Sequence, residues 1–314
     1  MTNLCDMPPE LIRLITERAD TRSRCSLRRC SKPLRQIVKN SKHVCEQIIV
    51  EHDGLKVSIQ VNDNAKCSYI RSGGGCKIRK LNPLTDFNYI KTLMDGETYL
   101  GVAVNDLMKI LVNPRIMVKK LEIRRPSGRP RDSDQLIPIL SQELTRLSHR
   151  LQVEQCTLGF LSERDILRIL PCFEPGTLKV LDLSERMSSD RLRGIVQLEQ
   201  WKQAVKLRSN VLPPILELLH FKQVEVCEQF LGDPHTVTWN DLRNFIENIR
   251  VQAEPMEFKC QGFQAPHEFH EYTRIFEKIE GTDKFILKDL ENGSQLVLIR
   301  HDNYIEINKY DPNQ

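Results

Sequence analysis

The sequence predicts an α/β chain of modular build. Three short helices lead, strand–helix units recur through the middle, and a strand-rich segment follows. Three observations carry this. Between residues 6 and 40, apolar residues recur at helical spacing behind helix-start signals. Between residues 121 and 258, apolar pairs two residues apart return at intervals of roughly 20 to 30 residues, with helix-like segments between them. From residue 284, KFILK, QLVLIR and YIEIN are short runs of strand type.

The leading helices are each justified locally. In MPPELIRLI, Asp6 can cap and Pro8 or Pro9 suits a first turn, with Leu11, Ile12, Leu14 and Ile15 along one side. Asp20 or Thr21 opens a second helix that ends near Arg29. Ser31 followed by Pro33 opens a third, carrying Leu34, Ile37 and Val38. The period then changes. Ile48 and Val50, then Val57, Ile59 and Val61, alternate as strand residues do, and Gly73, Gly74 and Gly75 form a turn between two polar strands. Residues 86–112 read as helix, through Tyr89, Ile90, Leu93, Leu107, Ile110 and Leu111.

The recurring pairs are Leu121/Ile123, Leu151/Val153, Leu181/Leu183, Val205/Leu207, Val224/Val226 and Met256/Phe258. Helical segments are expected at 133–148, 162–173, 189–203, 213–220 and 238–249. LKVLDLS (Leu178 to Ser184) reproduces the L-x-x-L-x-L core of a leucine-rich repeat, LQVEQC fits its cysteine form, and VKLRSN fits its asparagine form. A unit of one strand and one helix cannot bury its own apolar side, so parallel stacking into a solenoid is the physical solution. A doubly wound sheet is the alternative. The last three strands form a small β-rich cap, with Asn292–Gly293 as a hairpin turn and EFHEYTRIF before them as a helix.

Strand side chains alternate, so residues beside the apolar pairs face the other way. Glu122, Gln152, Asp182, Lys206, Arg208 and Glu225 are the candidates for substrate binding there. The same residues also fit a plain solvated sheet face.

Composition excludes several classes. The 314 residues carry 46 Lys and Arg against 42 Asp and Glu, a formal charge of +4, too mild to demand nucleic acid. No apolar run approaches the ~20 residues of a membrane-spanning helix. Asp6 and Glu10 interrupt the start, and no leader-type apolar stretch occurs there. A cytoplasmic and/or nuclear protein is expected. The 10 cysteines form no C-x-x-C pair, so reduced, structural thiols are expected and no zinc site. GGGCK fails the phosphate-loop pattern, since Ile78 stands where Ser or Thr is required. HEFH offers two histidines without a third ligand. SGRPRD is similar to a minor-groove hook, but Ser127 and Asp132 break its basic flanks. No nucleophile–base or paired-carboxylate motif stands out, so no catalytic residue, metal or cofactor is expected.

MPPELIRLI together with SLRRCSKPLRQIV (Ser26 to Val38) resembles an F-box, with Met7 in place of the usual leucine and Leu34 where many members have an aromatic residue. PGTLK, LEQWKQA (Leu198 to Ala204) and LLHF (Leu218 to Phe221) resemble the F-box-associated FTH domain of nematode proteins, and DLMKILVNP and VKKLEI fit the same pattern. The resemblance implies a domain order of F-box (1–45), connecting strands and helices (46–114), FTH domain (115–264) and cap (265–314). It implies a non-catalytic substrate-recognition subunit of a Skp–cullin–F-box ubiquitin ligase, with a Skp-type adaptor, a cullin–RING assembly and a protein substrate as partners.

On this reading Met7, Pro8, Leu11, Ile12 and Ile15 contact the adaptor, joined by Leu27, Cys30 and Leu34. Three helices of this size are too small to bury their own apolar surface. Packing on the chain's own strands at 48–61 would also satisfy them. The arginines between Arg13 and Arg35 make a helical DNA reader the rival from another class, and a repeat scaffold without a ligase the alternative overall.

Overall fold

The computed structural model describes residues 7–19, 21–41, 43–62, 66–73, 75–81, 88–93, 97–125, 135–184, 192–210, 213–227, 239–251, 256–261, 277–278, 284–287, 295–300 and 304–310. The EFHEYTRIF segment, HEFH, SGRPRD, Asp6 and the Asn292–Gly293 turn lie outside them. The chain divides into two compact units. One comprises Met1–Glu122, Asp132–Glu154 and Cys172–Glu174, the other Ile123–Arg131, Gln155–Pro171 and Pro175–Gln314.

The first unit opens with helices α1 (Pro9–Arg18), α2 (Thr21–Cys30) and α3 (Lys32–Asn40). Proline sits in the first turn of α1 and of α3, where a missing N–H costs nothing. Ser31 caps α3 by accepting from the Leu34 N–H at 3.2 Å. Both α1 and α2 pack on α3. Buried Arg24 of α2 lies within the field of Glu17 on α1.

Five antiparallel strands follow: β1 (His43–His52), β2 (Lys56–Val61), β3 (Lys66–Ser72), β4 (Gly75–Leu81) and β5 (Asn88–Leu93). Gly73, at φ +52°, supplies the left-handed turn between β3 and β4, while Gly75 already belongs to β4. The expected helix over 86–112 is corrected to strand β5 followed by the shorter helix α4 (Tyr99–Leu111). Tyr89, Ile90 and Leu93 match helix spacing, but Tyr89 and Ile90 are strand formers and all three pair with β4, Ile90 opposite Arg79. Helix α4 covers this sheet, and the Tyr69 hydroxyl of β3 donates to Asp106 of α4 at 2.8 Å. Strand β6 (Ile116–Arg124) neighbours β1, and α5 (Leu136–Thr145) packs on α4.

The second unit is built on parallel strands, the first of which enters it at Gln155. β7 (Gln152–Gly159), β8 (Val180–Ser184), β9 (Lys206–Ser209), β10 (Gln223–Cys227) and β11 (Met256–Gln261) lie side by side in chain order. That order never reverses, unlike the switch point of a doubly wound sheet. The connections are α6 (Glu163–Ile169) with a 3-10 turn, a 3-10 turn with α7 (Glu199–Lys202), a 3-10 turn over Ile215–Leu218, and α8 (Trp239–Val251). Val205, expected as the first apolar residue of its strand, stands just before β9 and is 40% exposed.

The C-terminal strands extend this sheet. After β12 (Glu277–Lys278) and β13 (Lys284–Leu287), β14 (Gln295–Arg300) pairs with β15 (Tyr304–Tyr310), and β15 pairs antiparallel with β11. Register stacks Cys156, Leu181, Leu207, Val224, Phe258 and Ile307 into one fully buried row. Helix α8 seals its end: Phe245 lies 4.8 Å from Phe258, ring centre to ring centre. Buried Lys309 donates from Nζ to the Ile249 carbonyl at 3.0 Å, in the last turn of α8, where a cation suits the helix dipole.

The residues of the FTH-like motifs are core. Trp201 is fully buried and meets Phe221 edge-on at 5.1 Å. Its Nε1–H donates to the Glu217 carbonyl at 3.3 Å, and His220 Nε2 lies 2.9 Å from the Trp201 carbonyl. Gly176 of PGTLK holds φ +80°, and a Cβ there would come within 3.0 Å of the Gln203 side chain. Four cysteines behave as small core residues: Cys45, Cys76, Cys156 and Cys172 are buried free thiols, and burial pushes that of Cys45 up to about 11, whereas Cys67 is half-buried and Cys30 exposed. Among the described residues no cluster of three potential metal ligands occurs, and no helix is long and apolar enough to cross a membrane.

Two outcomes follow for stability. Trp201→Ala should cost about 3–5 kcal/mol in urea denaturation, because it removes both a large core side chain and its backbone hydrogen bond. His43, at the start of β1, is pushed down from 6.5 to about 4, first by burial and then by the charge of Arg24. The folded state therefore resists protonation that the unfolded chain accepts. Stability from this site is complete above about pH 6.5 and drains away as pH falls towards 4. His43→Gln should flatten the loss of urea midpoint between pH 7 and pH 5; an unchanged slope would contradict the assignment.

Candidate functional site

Two surfaces hold the residues singled out by sequence, one in each unit. On α1, Leu11 is 46% exposed, Leu14 47% and Ile15 41%, side by side on an outward face. Helical spacing separates them from Ile12, which is 3% exposed on the inward face. Pro8 and Cys30 are exposed, and Met7 and Leu27 are half-buried. Ile12 and Leu34 are corrected as contact residues. Both are buried within the packed helices, so they position the outer face instead of lining it. Leu14, which the F-box resemblance leaves out of the contact set, stands between Arg13 and Ile15 on the exposed side.

The second surface is the face of β8–β11 and β15 opposite the buried apolar row. Register aligns Asp182, Arg208, Glu225, Lys259 and Glu306 across five neighbouring strands, with charge alternating at every step. Lys206 and Gln223 lie in the next row, with Glu257 beside them. Glu225 is the centre. Its Oε1 accepts from Lys206 Nζ at 2.6 Å and its Oε2 from Arg208 Nε at 2.6 Å. Burial works against the charge of Glu225, but the bonds and charges of Lys206 and Arg208 outweigh it and hold its carboxyl below the ordinary range. Gln223 donates to Glu257 at 2.5 Å, and Asn308 to Glu306 at 2.7 Å.

Asp182, Lys206, Arg208 and Glu225 are thus brought together, whereas Glu122 and Gln152 belong to the other unit. Glu122 is a correction. It is 1% exposed, because Leu121, Glu122 and Ile123 are all buried in β6. Its Oε1 takes hydrogen bonds from Gln47 Nε2 of β1 at 2.7 Å and Lys120 Nζ at 2.6 Å, so it is an internal polar joint. Lys259, which flanks the Met256/Phe258 pair on the expected side, and Glu306, which no recurring pair marks for this face, complete the charged row. The alternation in YIEIN, with Glu306 between two isoleucines, is the signal for the second of them.

Comparison with known proteins adds the following. An F-box domain family model matches residues 4–45, and an FTH domain family model matches residues 134–263. The chain is 23% identical over 233 residues to F-box A protein 224 of Caenorhabditis elegans, over 71% of this chain and 59% of the relative. The chain therefore spans less than two thirds of that relative's length. No solved structure matches. An F-box match at the three helices, followed by an FTH match over α5 to β11, gives this chain the domain pair of an F-box protein with an FTH domain, and the relative it matches is a nematode F-box protein.

Proposed function

We propose that the chain is the substrate-recognition subunit of a Skp–cullin–F-box ubiquitin ligase, itself non-catalytic and acting in the cytoplasm and/or nucleus. The F-box helices dock a Skp-type adaptor, which brings the cullin–RING assembly, and the parallel-strand unit, read as a leucine-rich-repeat-like solenoid, presents its charged face to a protein substrate. The observation that carries this reading is the outward row Leu11, Leu14 and Ile15 on the helix that matches the F-box motif.

Magnitude argues for a shared interface. Covering three aliphatic side chains that are nearly half exposed stabilises a complex by about 2–4 kcal/mol. That is millimolar-class binding before any association cost. A stable complex needs more surface, and Met7, Pro8, Leu27 and Cys30 are the residues proposed to extend it. The arginines of these helices favour nucleic acid as a rival, and salt separates the two: apolar docking responds weakly, phosphate contacts steeply.

Leu11→Asp combined with Ile15→Asp should abolish co-purification with a Skp-type adaptor and leave stability within about 1 kcal/mol, as surface changes do. Ile12→Asp should instead unfold the helices. Adaptor binding that survives the double change, or wild-type binding that collapses between low and moderate salt, overturns the docking assignment. Reversing Asp182, Lys206 and Arg208 together should change the set of proteins captured, read by mass spectrometry, and spare the adaptor. Loss of both would indicate misfolding.

A further inference from the structure

The charged face of the second unit carries an ion cluster in which one guanidinium keeps unused donors. Glu225 is one carboxylate serving both Lys206 and Arg208. The two cations differ in what remains to them. The Lys206 side chain is mostly covered, whereas that of Arg208 is 51% exposed. Arg208 spends only Nε on Glu225, and its two Nη groups make no hydrogen bond among the described residues. Asp182, opposite Arg208 in register, has partners of its own.

An arginine held at Nε has already lost much of its rotamer freedom, and its Nη pair presents parallel N–H donors that match a carboxylate. We propose that Arg208, fixed by Glu225, takes a side-chain carboxylate of a protein segment laid in extended form across the open face of β8–β11. This deepens the reading of that face as the substrate surface and rests on it. The occupant is a carboxylate because its two oxygens match the parallel N–H donors that Arg208 leaves unused. A phosphate, at about −1.5 to −2, is repelled more strongly by the neighbouring Asp182 and Glu257. Glu225 and Lys206 are positioning residues in this arrangement: the first aims the guanidinium, and the second keeps the first ionised.

The test uses the full chain and three synthetic peptides of Ser, Thr and Val that differ at one central position, which is Glu, Gln or phosphoserine. Fluorescence polarisation should show the Glu peptide preferred over the Gln peptide by about tenfold, the size of a lost pair of charge-assisted bonds. Arg208→Gln should erase that preference, and Arg208→Lys should lose most of it, since a point charge cannot replace the fork. Undetectable Glu-peptide binding, equal binding of Glu and Gln peptides, or a preference that persists in Arg208→Gln overturns the proposal. Stronger binding of the phosphoserine peptide overturns the carboxylate assignment. Val180→Trp, which places bulk on the same face beside Lys206, separates the two levels. If Glu-peptide binding survives it, the face itself is the wrong surface. If Val180→Trp abolishes binding while wild type treats Glu and Gln alike, only the role of Arg208 falls.

Discussion

The two-residue period of a strand, locked in register across neighbouring strands, is the constraint on which the second unit depends. Once Leu181, Leu207, Val224 and Phe258 are drawn into a single buried row, no freedom remains for the residues between them. Asp182, Arg208, Glu225 and Lys259 must then form a row of their own on the other side. A slip of one residue would bury four charges and expose four core side chains. The core therefore dictates the charge pattern of the face. The ion pairs around Glu225 are a consequence of that register, and they stay satisfied only while it holds.

The helices at the start solve a different problem. Ten residues make fewer than three turns, so α1 can bury only a narrow stripe. Ile12 occupies that stripe against α3, and Leu11, Leu14 and Ile15 are left over. Their exposure is the cost of a short helix with apolar residues on two sides. On the docking proposal a partner covers them, which would link the local sequence to assembly. Behind them, His43 at the beginning of β1 is half-buried and stands close to buried Arg24 of α2, so burial and then that charge hold its imidazole neutral.

Much of this was legible beforehand, and the exceptions share a cause. The N-cap at Ser31, the parallel strands at 181, 207, 224 and 258, and the core role of the cysteines follow from local chemistry or from period alone. In NYIKTL, Tyr89, Ile90 and Leu93 suit either period over so short a run, and pairing with β4 decides between them. Alternation puts Glu122 outside, but β1 supplies Gln47 at that position. Apolar pairing puts Val205 inside, yet its strand begins one residue later.

The sequence by itself determined which segments become strands and helices in the parallel unit, the motifs that mark the F-box and FTH regions, and the separation of apolar from charged positions along each strand. These depend on neighbours a few residues away, and spacing records them. The tertiary structure alone decided that Ile12 and Leu34 turn inward while Leu14 turns out. It also decided that Glu122 is an internal joint, that β15 joins β11 and brings Glu306 into the charged row, and that Glu225 serves two cations at once. Each of those depends on which distant strand or helix arrives alongside, and burial and charge pairing are set by that neighbour.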